Sequence, residues 1–138
     1  MSAAARTSGD GAATLPEQHG RASGTWTAVC LLTDLEVERG AAALVNGQAV
    51  AIFRTHDDTV YALGNHDPFS RASVLARGIV GTRSVDGADV PFVASPMHKN
   101  AFDLRTGRCL DDDAVSVPSY EVGVEDGTIL VGPRRSSP

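Results

Sequence analysis

Ser95-Pro96-Met97-His98-Lys99-Asn100-Ala101-Phe102-Asp103-Leu104-Arg105-Thr106-Gly107-Arg108-Cys109-Leu110 reads as a tight loop, a short strand, a Thr-Gly turn and a second strand. Val90-Pro91-Phe92-Val93-Ala94 leads into it as a strand, with Pro91 fitting an edge or early position because it cannot donate to a ladder. Asp111-Asp112-Asp113 follows as a solvated acidic loop. The stretch from Val115 to Val124 alternates late, placing Tyr120, Val122 and Val124 on one face. Asp126-Gly127 is a hairpin turn, and Thr128-Ile129-Leu130-Val131 is the final strand.

Working back towards the N-terminus, Asn46-Gly47 joins two apolar runs, Ala41 to Val45 and Gln48 to Arg54. Such a pair predicts a hairpin, because a type I′ turn requires positive φ at both central residues. Thr59 to Leu63 adds a third strand after the turn at His56-Asp57-Asp58. Alternation puts Trp26, Ala28 and Cys30 on one face of a half-buried first strand. Between Leu63 and Val90 the pattern breaks. Gly64 to Ser70 is a turn, Ala72 to Arg77 has room for one or two helical turns closed by Gly78, and Ile79-Val80 is short and apolar. Ser84 to Asp89 is a polar turn around Gly87. Short strands punctuated by Gly, Asn and Asp, without a long helix, predict an all-β antiparallel sandwich or small barrel.

One domain is expected from 138 residues, and 42% hydrophobic content is enough for a core. We expect it to span residues 25–132, between a disordered tail over 1–24, too poor in large apolar residues to fold, and a polar tail over 133–138. The formal net charge is -5, and Arg134-Arg135 is the only adjacent basic pair, which argues against nucleic acid as a partner. No apolar run approaches the ~18 residues that span a bilayer. The N-terminus lacks the apolar core of a secretory signal, and Cys30 and Cys109 are too few for a disulfide scaffold. A cytoplasmic protein with free thiols is expected.

The opening stretch resembles the second cluster-binding loop of Rieske iron–sulfur domains, Cys-Pro-x-His followed by Phe-x-Leu-x-Thr-Gly, with Ser95 in place of the cysteine. The first loop of such a domain falls at Asn65-His66-Asp67, after the strand ending at Leu63. There Asn65 takes the cysteine position and Asp67 the histidine position. Only His98 survives of the four ligand positions Asn65, Asp67, Ser95 and His98, so no cluster is expected in this chain. Asn65-x-Asp67-Pro68-Phe69-Ser70, Gly78-Ile79-Val80-Gly81, Ser95-Pro96-x-x-Lys99 and Phe102-x-Leu104-x-Thr106-Gly107-x-Cys109-Leu110-Asp111-Asp112 extend the match over about Trp26 to Val131. In those residues the chain resembles the small subunits of assimilatory NAD(P)H-dependent nitrite reductases, Rieske-like proteins without ligand cysteines.

The resemblance implies a Rieske-like fold with two former ligand loops and a role beside a large subunit. That subunit carries FAD, an iron–sulfur centre and sirohaem and reduces nitrite to ammonium. The small subunit supplies no catalytic group and is expected to be inactive alone. Asn65, His66, Asp67, Phe69, Ser95, His98 and Lys99 are then candidates for a docking surface. Two readings stay beside it: a Rieske-type electron carrier, which needs a cluster, and a mononuclear metal held by His66, Asp67 and His98. The second is awkward, because adjacent side chains point apart on extended backbone. Lys99, the only lysine beside eleven arginines, fits an interface contact or a solvated side chain. Cys109 fits a small core residue.

Overall fold

The computed structural model describes residues 26–135, so the tail expected over 1–24 and the last three residues lie outside the described part. Six strands form one antiparallel sheet: β1 (Thr27–Leu31), β2 (Arg39–Val45), β3 (Gln48–Arg54), β4 (Val60–Gly64), and, from the end of the chain, β10 (Ser119–Glu125) and β11 (Thr128–Arg134). Their order is β1-β11-β10-β4-β3-β2, and the two edge strands β1 and β2 touch, so the sheet nearly closes into a barrel. Between β4 and β10 the chain builds a second unit. It contains the two-stranded ribbon β5 (His66–Asp67) and β6 (Ala72–Ser73), then the three-stranded sheet β7 (Ile79–Val85), β8 (Ala88–Ala94) and β9 (Ala101–Asp103). Single 3-10 turns at Leu32–Asp34 and Leu75–Arg77 are the only helical elements among the described residues.

Strand β3 explains why there are two units. Its run Val50-Ala51-Ile52-Phe53 is buried on both faces, so it lacks the polar alternation of a half-exposed strand. Val50 and Ile52 face the barrel interior with Leu35, Val45, Ile129 and Val131. Ala51 and Phe53 face the other way, into a second core with Leu63, Leu75, Val93, Phe102 and Leu104. The loops of the second unit therefore stand on a packed platform.

Asn46-Gly47 and Asp126-Gly127 make the expected positive-φ turns (50° and 80°; 51° and 80°). A third pair, Asp86-Gly87, does the same (51° and 82°), and it corrects the short reading of Ile79-Val80. That segment continues as the seven-residue strand β7, paired from Ile79↔Ala94 to Val85↔Ala88. Two other expectations are also corrected. Ala72 to Arg77 is half ribbon and half 3-10 turn. The segment after Thr106-Gly107 is held by isolated bridges, Phe102↔Cys109 and Arg108↔Ser116, and forms no continuous strand. Its turn nonetheless needs glycine. Gly107 has φ 86°, and a Cβ there would lie 2.1 Å from the carbonyl oxygen of Val117. The final strand runs to Arg134, three residues beyond the predicted end at Val131.

Candidate functional site

The two former ligand loops leave the platform side by side and are built on one plan. In the first, Asp67 Oδ1 accepts a hydrogen bond from the amide of Phe69 (2.9 Å), and the amide of Arg71 donates to the Asp67 carbonyl (2.7 Å). In the second, Ser95 Oγ accepts from the amide of Met97 (3.2 Å), and the amide of Lys99 donates to the Ser95 carbonyl (2.9 Å). Each loop thus reads cap, proline, large apolar residue, polar residue, cation: Asp67-Pro68-Phe69-Ser70-Arg71 and Ser95-Pro96-Met97-His98-Lys99. The cation has positive φ in both, 60° at Arg71 and 63° at Lys99. Asp and Ser suit the first position because a short oxygen-bearing side chain reaches the amide two residues on.

The two caps then bond to each other. Ser95 Oγ donates to Asp67 Oδ2 at 2.5 Å, and Ser70 Oγ donates to the same oxygen at 2.8 Å. Asp67 is 0% and Ser95 1% exposed. Burial disfavours the charge on Asp67, but the hydrogen bonds from Ser95, from the Phe69 amide and from Ser70 outweigh it and hold its carboxyl below the ordinary range. Asn65, 5% exposed, fastens the root of the first loop. Its Oδ1 accepts from the Ala76 amide (2.8 Å) and its Nδ2 donates to the Ser73 carbonyl (3.3 Å). The second loop is rooted against the same 3-10 turn, where a Cβ on Gly78 would lie 2.3 Å from the Ala94 carbonyl oxygen.

Three of the four ligand positions are thus inward structural groups. They do not fit a [2Fe–2S] cluster. Asn65, Asp67 and Ser95 offer no thiolate, and both carboxylate oxygens of Asp67 are already taken up by protein donors. Cys109 is buried in the core below, and Cys30 sits on β1 with its thiol pushed up to about 11 by burial and then by Asp34. His66 is exposed while Asp67, its neighbour on β5, is buried, so the two side chains diverge. Among the described residues no three His, Cys, Asp or Glu side chains converge as a metal site.

A model of the Rieske-like [2Fe-2S] domain family matches residues 25–132. The NADH nitrite reductase small subunit of Escherichia coli (strain K12) is 40% identical over 105 residues, covering 75% of this chain and 94% of that protein. The chain belongs to this Rieske-like family. A solved structure of a candidate NADH-dependent nitrite reductase small subunit from Mycobacterium tuberculosis shares its fold, with TM-score 0.74 and 44% identity, covering 84% of this chain and 99% of that one. The third relative is of another kind. The NAD(P)H nitrite reductase large subunit of Klebsiella oxytoca is 38% identical over 107 residues, covering 78% of this chain but 11% of that protein.

In this Rieske-like chain the candidate residues separate by depth. Asn65, Asp67 and Ser95 face inward. Phe69 is half-buried, its ring 6.1 Å from that of Phe102. His66, His98 and Lys99 are exposed, together with Met97 at 57%. Met97 and Arg71 are exposed as well, yet neither is among the residues that the ligand positions single out. The Pro-x-x-cation pattern repeated in the two loops is the signal that marks them.

Proposed function

We propose that this chain is the small, accessory subunit of an NAD(P)H-dependent nitrite reductase, acting beside a large subunit that carries FAD, an iron–sulfur centre and sirohaem. The observation that carries this is the Klebsiella oxytoca relative, in which a domain of this kind is part of a large-subunit chain. A domain found both alone and within that chain is expected to dock on the same machinery. The 94% coverage of a nitrite reductase small subunit supports the same reading. The chain contributes no catalytic group. Its two loops, with ligand donors replaced by an internal hydrogen-bonded pair, serve as a shaped surface. His66, Phe69, His98 and Lys99 lie on that surface, and Asn65, Asp67 and Ser95 hold it from beneath. A cytoplasmic location fits this role, and among the described residues no helix is long and apolar enough to cross a membrane.

The test is a pull-down from nitrate-grown cells with the full chain as bait, paired with deletion of its gene. Capture of the large subunit and a fall in NAD(P)H-driven nitrite reduction in extracts are expected. Unchanged activity together with no captured large subunit would overturn the proposal.

A further inference from the structure

The distribution of charge across the two loops says what kind of surface they meet. The segments 64–80 and 94–101 contain three cations, Arg71, Arg77 and Lys99, and a single carboxylate, Asp67, in a chain whose net charge is -5. Asp67 is fully buried and satisfied within the site, so the exposed charge carried by these two segments themselves is wholly positive, with His66 and His98 beside it. None of the three cations forms an ion pair among the described residues, whereas Arg54, Arg83 and Arg105 are each matched to an aspartate. No aspartate of the nearby acidic loop forms an ion pair with them among the described residues. Asp111 pairs with Arg83 and accepts from the Ala101 amide, and Asp112 accepts from the Ala114 amide.

Apolar surface accompanies this charge. Met97 is 57% exposed at the tip of the second loop, and Ile79 is 69% exposed opposite Ala94 at its root. Ile79, Arg77 and Arg39 line an open cleft of about 610 Å³ beside the first loop, with Glu38, which lies 3.8 Å from His56, as its one acid. Positive φ at a non-glycine residue costs on the order of 1 kcal/mol. Both loops accept that cost at the one position that carries a cation, and Arg71 and Lys99 are both exposed there.

We propose that the exposed loop face docks on a carboxylate-rich patch of the large nitrite reductase subunit, with Met97 entering an apolar recess and Arg71 and Lys99 steering the approach. This rests on the small-subunit reading above. Exposed charges at the rim of an interface act mainly on association rate and salt dependence, while a central apolar anchor acts on the lifetime of the complex. The two contributions are therefore separable.

The experiment measures binding of the full chain to the purified large subunit of the same organism, by surface plasmon resonance at several salt concentrations. Arg71→Glu with Lys99→Glu should slow association about ten-fold at low salt, and raising NaCl should erase most of the difference. Met97→Ala should speed dissociation about ten-fold and leave association unchanged. Lys99→Gln should be felt where the charge-matched control Thr33→Glu, on the 3-10 turn after β1, is not. Circular dichroism confirms that each variant folds. Wild-type binding that none of the loop variants changes would overturn this surface and leave the small-subunit role standing. Failure of the wild-type chain to bind at all would overturn that role. Self-association of the isolated chain, abolished by the double charge reversal, would also overturn the proposal and assign the face to a second copy.

Discussion

The first and second loops share a backbone plan and divide the work. In the first, the cap is a carboxylate that accepts from three groups, and the apolar residue, Phe69, is folded down against Phe102. In the second, the cap is a hydroxyl that accepts from one amide and gives its proton to the first loop, and the apolar residue, Met97, stands out in solvent. One loop anchors and the other presents. A carboxylate gathers donors from several directions, whereas a hydroxyl has a single proton to commit. The difference between Asp67 and Ser95 therefore decides which loop collects the donors.

Removing the caps tests that division most severely. Asp67→Ala strands the hydroxyls of Ser70 and Ser95 and the Phe69 amide, and should cost about 2–4 kcal/mol by urea unfolding. Ser95→Ala deletes one donor and leaves an unmet amide, and should cost about 1–2 kcal/mol. Equal costs would break the asymmetry. The apolar pair should separate next. Phe69→Ala should lose about 2 kcal/mol from a half-buried ring, while Met97→Ala should change the unfolding midpoint hardly at all.

Acid gives a smaller and sharper effect. The Asp67 carboxyl sits below its unfolded value of about 3.9, so its contribution is complete above that pH and disappears as pH falls through the folded value. From pH 5 to pH 3 the wild-type chain should lose more stability than Asp67→Asn, as followed by chemical unfolding at each pH. Parallel curves would mean that the carboxylate is not the linchpin. The smallest effect runs the other way. Lys99→Gly relieves positive φ and should stabilise by about 0.5 kcal/mol, after allowing for the greater freedom of glycine when unfolded. The same substitution should weaken binding to the large subunit.

Much of this architecture was legible from residues alone, because Asn46-Gly47 and Asp126-Gly127 permit few alternatives and the Thr106-Gly107 turn admits only glycine beside Val117. Strand β7 was not. Its Gly81-Thr82-Arg83-Ser84 centre carries little apolar signal and is held by pairing with β8, although Asp86-Gly87 repeats the chemistry of the other two hairpins. In the site, the resemblance located Asn65, Asp67 and Ser95 but did not reveal their depth. Burial of a carboxylate is tolerated only through partners that converge from both loops, and the Ser95–Asp67 bond spans 28 residues of chain that no local pattern joins.

That bond also bears on how the subunit is made. A pair of loops bridged by iron atoms waits on the delivery of metal and sulfide, and comes apart when either is stripped away. A pair bridged by a serine proton closes as the chain itself closes, from atoms the ribosome has already supplied. The contact between Asp67 and Ser95 is therefore made by folding itself.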